Sequence, residues 1–127
     1  MNKLINALLI ALLFVSGSAS AGWVEVDGNK DLSLYIDPTT IRKDGNLRKV
    51  WQLNDLKERN KDGVFSRRAR NEYECKNERY RVLSLSSHSE PMAIGMILYQ
   101  SSAESTEWTD IPPGTLAETV LKIVCAN

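Results

Sequence analysis

Cys75 and Cys125 are the only cysteines in the chain, and the N-terminus decides what they can do. Lys3 supplies a positive start, residues 4–15 form an apolar core, and Ser16-Gly17-Ser18 breaks it before Ala19-Ser20-Ala21. Small residues at 19 and 21 are what a signal peptidase reads, so residues 1–21 form a leader and cleavage is expected between Ala21 and Gly22. The apolar run is shorter than the roughly 20 residues a helix needs to cross a bilayer. Export carries both cysteines to an oxidising compartment, where one intrachain disulfide is expected. Closing a loop of about 50 residues contributes about 4 kcal/mol in the chain-entropy model.

Residues 22–127 then make a single domain. The whole chain has 127 residues, with 16 Lys and Arg against 16 Asp and Glu, so it lacks the basic excess of a nucleic-acid binder. A single His and two Cys do not build a metal site, and no cofactor motif is present, so neither metal nor cofactor is expected. His88 is surrounded by Ser84, Ser86, Ser87 and Ser89. Strand neighbours at i±1 point to opposite faces, which places those serines poorly for a triad. The expectation is a non-enzyme with no catalytic residues.

Asp27-Gly28, Asp44-Gly45 and Asp62-Gly63 punctuate the first half into strand-length pieces. Strands are expected over 23–26, 32–36, 47–56, 64–75, 78–87 and 92–100, the last interrupted by Gly95. Asp37-Pro38-Thr39-Thr40 is expected to turn, with one helical turn through Ile41 and Arg42. Leu47, Trp51 and Leu53 share a face at period two. Residues 101–109 are expected to be a loop. After Pro112-Pro113-Gly114, Thr115 and Glu118 form a capping box. Leu116, Val120 and Val124, with Ala117 and Leu121, then face a sheet, while Glu118, Thr119 and Lys122 lie opposite.

Strands followed by one helix give an α+β fold: an antiparallel sheet of about six strands with one C-terminal helix packed on it, stapled by the disulfide. A small closed barrel with an end helix is the alternative.

The order of motifs is more specific than any one of them. The stretches Tyr35-Ile36-Asp37-Pro38-Thr39-Thr40-Ile41-Arg42-Lys43-Asp44-Gly45-Asn46-Leu47 and Asn71-Glu72-Tyr73-Glu74-Cys75-Lys76-Asn77-Glu78-Arg79-Tyr80-Arg81 resemble the bacterial surface-adhesin protein E family. So do Glu107-Trp108, Pro112-Pro113-Gly114 and the closing helix that ends in Cys125. The resemblance implies a six-stranded antiparallel sheet, a C-terminal helix and a disulfide. It also implies export, a homodimer as in the family's best-known member, and binding of host matrix and plasma proteins. That member is lipid-anchored, whereas no Cys follows the leader here. The expected location is therefore the periplasm, the cell surface or the medium, without a lipid anchor. The expected function is an exported, non-enzymatic binding module with a protein ligand. The alternative is a periplasmic accessory or inhibitor protein acting on an envelope enzyme or complex. The resemblance identifies no ligand-binding residue.

Charge suggests where a ligand would bind. Residues 42–81 hold 13 basic and 7 acidic groups. A tight turn at Lys76 and Asn77 would set Glu74 opposite Arg79, Glu72 opposite Arg81 and Tyr73 opposite Tyr80. Continued at constant register, it leaves Arg68 and Arg70 opposite Leu85 and Leu83. These four residues are the candidate binding patch, since Arg beside apolar surface is typical of interfaces.

Overall fold

The computed structural model describes residues 22–102 and 107–126. The expected leader, residues 1–21, lies outside the described residues. The described chain runs through β1 (Val24–Gly28), β2 (Leu32–Asp44), β3 (Leu47–Leu56), β4 (Ser66–Glu74) and β5 (Arg79–His88). A 3-10 turn (Pro91–Ala93), β6 (Ile97–Ser101), the short β7 (Thr109–Asp110) and α1 (Leu116–Val124) follow. The sheet is antiparallel in the order β1-β2-β3-β4-β5-β6, with β7 beside the start of β5. β1 and β6 are its two edges and do not pair, so the sheet is open and the barrel alternative is not adopted.

One face of the sheet carries the helix. Leu34 and Ile36 from β2, Val50 from β3 and Tyr73 from β4 are buried against Val120, Leu121 and Val124. Period two in the strands and a four-residue recurrence in the helix bring these side chains together. Thr115 caps the helix by accepting from the Glu118 amide at 3.3 Å. Glu118 accepts from the Gly114 amide at 3.2 Å, one residue before the position a strict capping box uses. The disulfide Cys75–Cys125 ties the helix end to the end of β4, with Cα atoms 5.8 Å apart. Arg48 is buried beneath that end, and its Nε donates to the Val124 carbonyl at 3.1 Å. A cation there complements the negative pole of the helix. Thr119 does not turn to solvent but donates to Asp27 Oδ2 on β1 at 2.5 Å.

Two further sequence expectations change. The Asp37-Pro38 segment does not turn: β2 continues to Asp44 through a register shift between Asp37 and Arg42. Pro38 has no N–H to give the ladder. The Thr40 hydroxyl stands in, donating to the Asp37 carbonyl at 2.7 Å and accepting from the Trp51 amide at 3.0 Å. The reversal comes later, where Gly45 takes a left-handed φ of 56° between Asp44 and Leu47.

On β3, Arg48 and Val50 face the helix. Leu47, Trp51 and Leu53 share the other side of the sheet, where Leu53 is nevertheless fully buried. Second, residues 92–96 are not strand. The 3-10 turn packs across β3 and β4, with the Met92 amide donating to Asp55 Oδ1 at 2.8 Å and the Ala93 amide to Ser66 Oγ at 2.9 Å. β6 begins only at Ile97, and the segment expected to be loop ends in β7.

Candidate binding site

The hairpin of β4 and β5 sets the chemistry of the face away from the helix. Its tight turn places Glu74 opposite Arg79, Tyr73 opposite Tyr80 and Glu72 opposite Arg81, as the charges suggest. Arg79 Nε lies 2.6 Å from Glu74 Oε2, and Arg81 Nη2 lies 2.7 Å from Glu72 Oε1. The hydrogen bond from Arg79 holds the Glu74 carboxyl below its usual range. Trp108 sits over both guanidinium groups, 5.0 Å from Arg79 and 4.4 Å from Arg81. The two tyrosine rings stack on the helix side at 5.9 Å.

Beyond Glu72 the register slips. A bulge between Arg70 and Asn71 leaves Leu83 without a partner, so Arg70 faces Ser84, Ala69 faces Leu85 and Arg68 faces Ser86. A one-residue shift moves side chains to the opposite face. The four expected patch residues are therefore not brought together. Leu83 is buried, and Leu85 stands on the Ala69 side of the sheet. Arg68 and Arg70 keep a common face, and neither meets a carboxylate among the described residues. Arg68 is exposed and sits over Trp51, its guanidinium carbon 4.3 Å from the ring centroid. A hollow of about 250 Å³ opens beside this pair, lined by Trp23, Asp37, Thr40, Trp51 and Arg68. A smaller hollow, of about 50 Å³, reaches from the same pair to Ser84, Ser86, Gln100 and Ser101.

Across β5 from this basic end, an exposed apolar run leads into and along β6. Ile94, Met96, Ile97, Leu98 and Tyr99 are between 40% and 68% exposed, and among the described residues β6 has no strand on its outer side. Sequence reasoning found the strand but missed its exposure. Residues 91–102 contain no charged group, which is unusual for an unprotected edge and is the signal available beforehand. The opposite edge, β1, carries Glu25 and Asp27.

His88 has a partner that i±1 reasoning overlooks. Ser86, two residues back on the same face, brings Oγ to 2.8 Å from His88 Nε2. Nδ1 is buried and meets no hydrogen-bond partner among the described residues, so none of them orients the ring as a triad requires. Burial, then the nearby Arg68 charge, lowers the His88 pKa from its usual value. No three potential metal ligands cluster among the described residues. No helix among them is long and apolar enough to cross a membrane.

Residues 23–126 match the family model of surface-adhesin protein E. The chain belongs to that family. Family membership spans the disulfide, both basic ends of the hairpin and the exposed edge. Among solved structures, crystal form II of Haemophilus influenzae protein E is 17% identical, with 86% of this chain and 91% of that one covered and a TM-score of 0.66. The selenomethionine form of protein E from the same organism is 17% identical over 87% of this chain and 90% of that one, with a TM-score of 0.65. Protein E from non-typeable Haemophilus influenzae is 17% identical over 87% and 79%, with a TM-score of 0.60. At these identities the likeness is one of fold. No curated protein matches the chain significantly.

Proposed function

We propose that this chain is an exported, non-enzymatic binding module that docks a protein on its β6 edge, with Arg68 and Arg70 as a charge-reading patch alongside. The observation that carries the reading is the run of exposed apolar side chains leading into and along β6, whose outer edge pairs with no strand among the described residues. Such an edge offers main-chain hydrogen bonds and apolar pockets to an added strand. Membership of a surface-adhesin family supports a protein ligand, and matrix or plasma proteins are the first class to assay. The absence of any charge in residues 91–102 also favours a second copy pairing β6 to β6, since nothing there repels a like strand.

The test is Ile97→Lys, which places a charge on the exposed edge. It should abolish capture by immobilised matrix proteins and any self-association in sedimentation velocity. Unchanged binding would overturn the edge assignment. Confinement to the periplasm on fractionation would instead support the accessory-protein alternative.

A further inference from the structure

The Arg68–Trp51 stack has no assigned role. The guanidinium carbon lies 4.3 Å from the Trp51 ring centroid, and Arg68 makes no hydrogen bond or ion pair among the described residues. Its N–H fork is held beside the indole and left unsatisfied, an arrangement open to a planar oxyanion. The 250 Å³ hollow at its side combines two indoles, Trp23 and Trp51, with a carboxylate, Asp37. Asp37 Oδ1 is engaged by the Thr39 amide at 3.0 Å and the Thr39 hydroxyl at 2.6 Å, which leaves Oδ2 to accept from a ligand. On the far side of the stack stand the Ser84 hydroxyl and the exposed Gln100 amide.

We propose that this stack is the centre of a binding site for an acidic saccharide. The sugar's carboxylate or sulfate pairs with Arg68, an apolar ring face lies in the Trp23 hollow, and sugar hydroxyls donate to Asp37 Oδ2. The next sugar along the chain meets Ser84 and Gln100. Asp37 decides the class. A ligand that is purely anionic is repelled by that carboxylate, whereas one with hydroxyl donors beside an acidic group satisfies both charges. Aromatic surface with a few convergent polar groups is the usual make-up of such sites. This rests on reading Arg68 as a charge-reading residue and assigns the chemistry that it reads.

The experiment uses the exported chain, titrated with an oligogalacturonate, a heparin-derived tetrasaccharide and neutral chitotetraose, with tryptophan fluorescence and amide shifts as readouts. At least one acidic ligand should bind saturably, weaken with salt, and exceed the neutral sugar at least tenfold in affinity. Which acidic ligand binds tells carboxylate from sulfate recognition. Arg68→Gln should lose at least tenfold and Trp23→Ala a comparable amount, while Arg68→Lys retains part of the affinity and Arg59→Gln, a basic site away from the hollow, changes nothing. Equal binding of the neutral sugar, an unaffected Arg68→Gln, or preference for a 5′-nucleotide over all the saccharides would overturn the proposal. Ile97→Lys should leave saccharide binding intact, so this site and the protein-docking edge can fail separately.

Discussion

The two ends of the β4–β5 hairpin carry the same residue type to different ends. Beside the disulfide, Arg79 and Arg81 are consumed by Glu74 and Glu72 and covered by Trp108. Past the Leu83 bulge, Arg68 and Arg70 face serines instead of carboxylates and lie next to a bare apolar edge. One inserted residue separates the two regimes. Where charges are satisfied internally and covered, they hold the fold; where β5 offers serines and no carboxylate, they remain available to something outside the chain. Substitutions at the two ends should therefore move different observables.

The largest expected effect is at the stapled end. Replacing Cys75 and Cys125 by Ser should cost about 4 kcal/mol in urea unfolding, from the entropy of a loop of about 50 residues. A cost below about 1 kcal/mol would mean that the helix holds its place without the bridge.

Next comes Arg81→Ala. Glu72 is only 4% exposed at its side chain, so removing its partner strands a buried carboxylate, at a cost of about 3 kcal/mol. The same change at Arg79, whose side chain is 35% exposed, should cost about 0.5–1 kcal/mol. Equal costs would dissolve the distinction between covered and surface pairs.

Third is the helix face. Val120→Ala removes a fully buried side chain and should cost about 2 kcal/mol. Lys122→Ala, on the solvent side, should stay under about 0.5 kcal/mol. Matching shifts of the urea midpoint would mean that the helix is rotated.

The fourth effect is smaller and belongs to the open end. His88 has a folded pKa below its usual 6.5, so the unfolded state holds more protons between those two values. Stability should fall as pH drops below about 6.5 and level off once pH is beneath the folded pKa. In His88→Gln the decline between pH 7 and the onset of carboxylate titration should disappear. A wild-type profile that is flat there would place the imidazole in solvent.

The stapled end was legible in the sequence because several local signals agree there. Opposite charges, an aromatic pair and the disulfide face all fit one tight turn at Lys76 and Asn77, and the helix declared itself through Thr115, Glu118 and its apolar recurrence. The open end was not legible for reasons of the same kind. Nothing in Val82-Leu83-Ser84-Leu85 marks which residue bulges, since apolar side chains there suit either face. Asp37-Pro38 resembles a turn locally, and only the Trp51 amide on the next strand explains why the Thr40 hydroxyl can keep β2 extended. Exposure of β6 is a property of sheet order, because α1 packs at the β1 and β2 end of the sheet and leaves the far edge without a covering layer.

The most direct test of the division between the ends is one paired measurement on Ile97→Lys and Arg81→Ala: thermal midpoint together with binding to a panel of purified matrix and plasma proteins. Ile97→Lys should lose at least tenfold in binding to any protein of the panel that the wild-type chain binds while its midpoint moves little, as expected for an exposed position. Arg81→Ala should lower the midpoint markedly and, well below that midpoint, bind as the wild type does. If Ile97→Lys binds normally, or if Arg81→Ala loses binding while still folded, the two ends are not divided in this way.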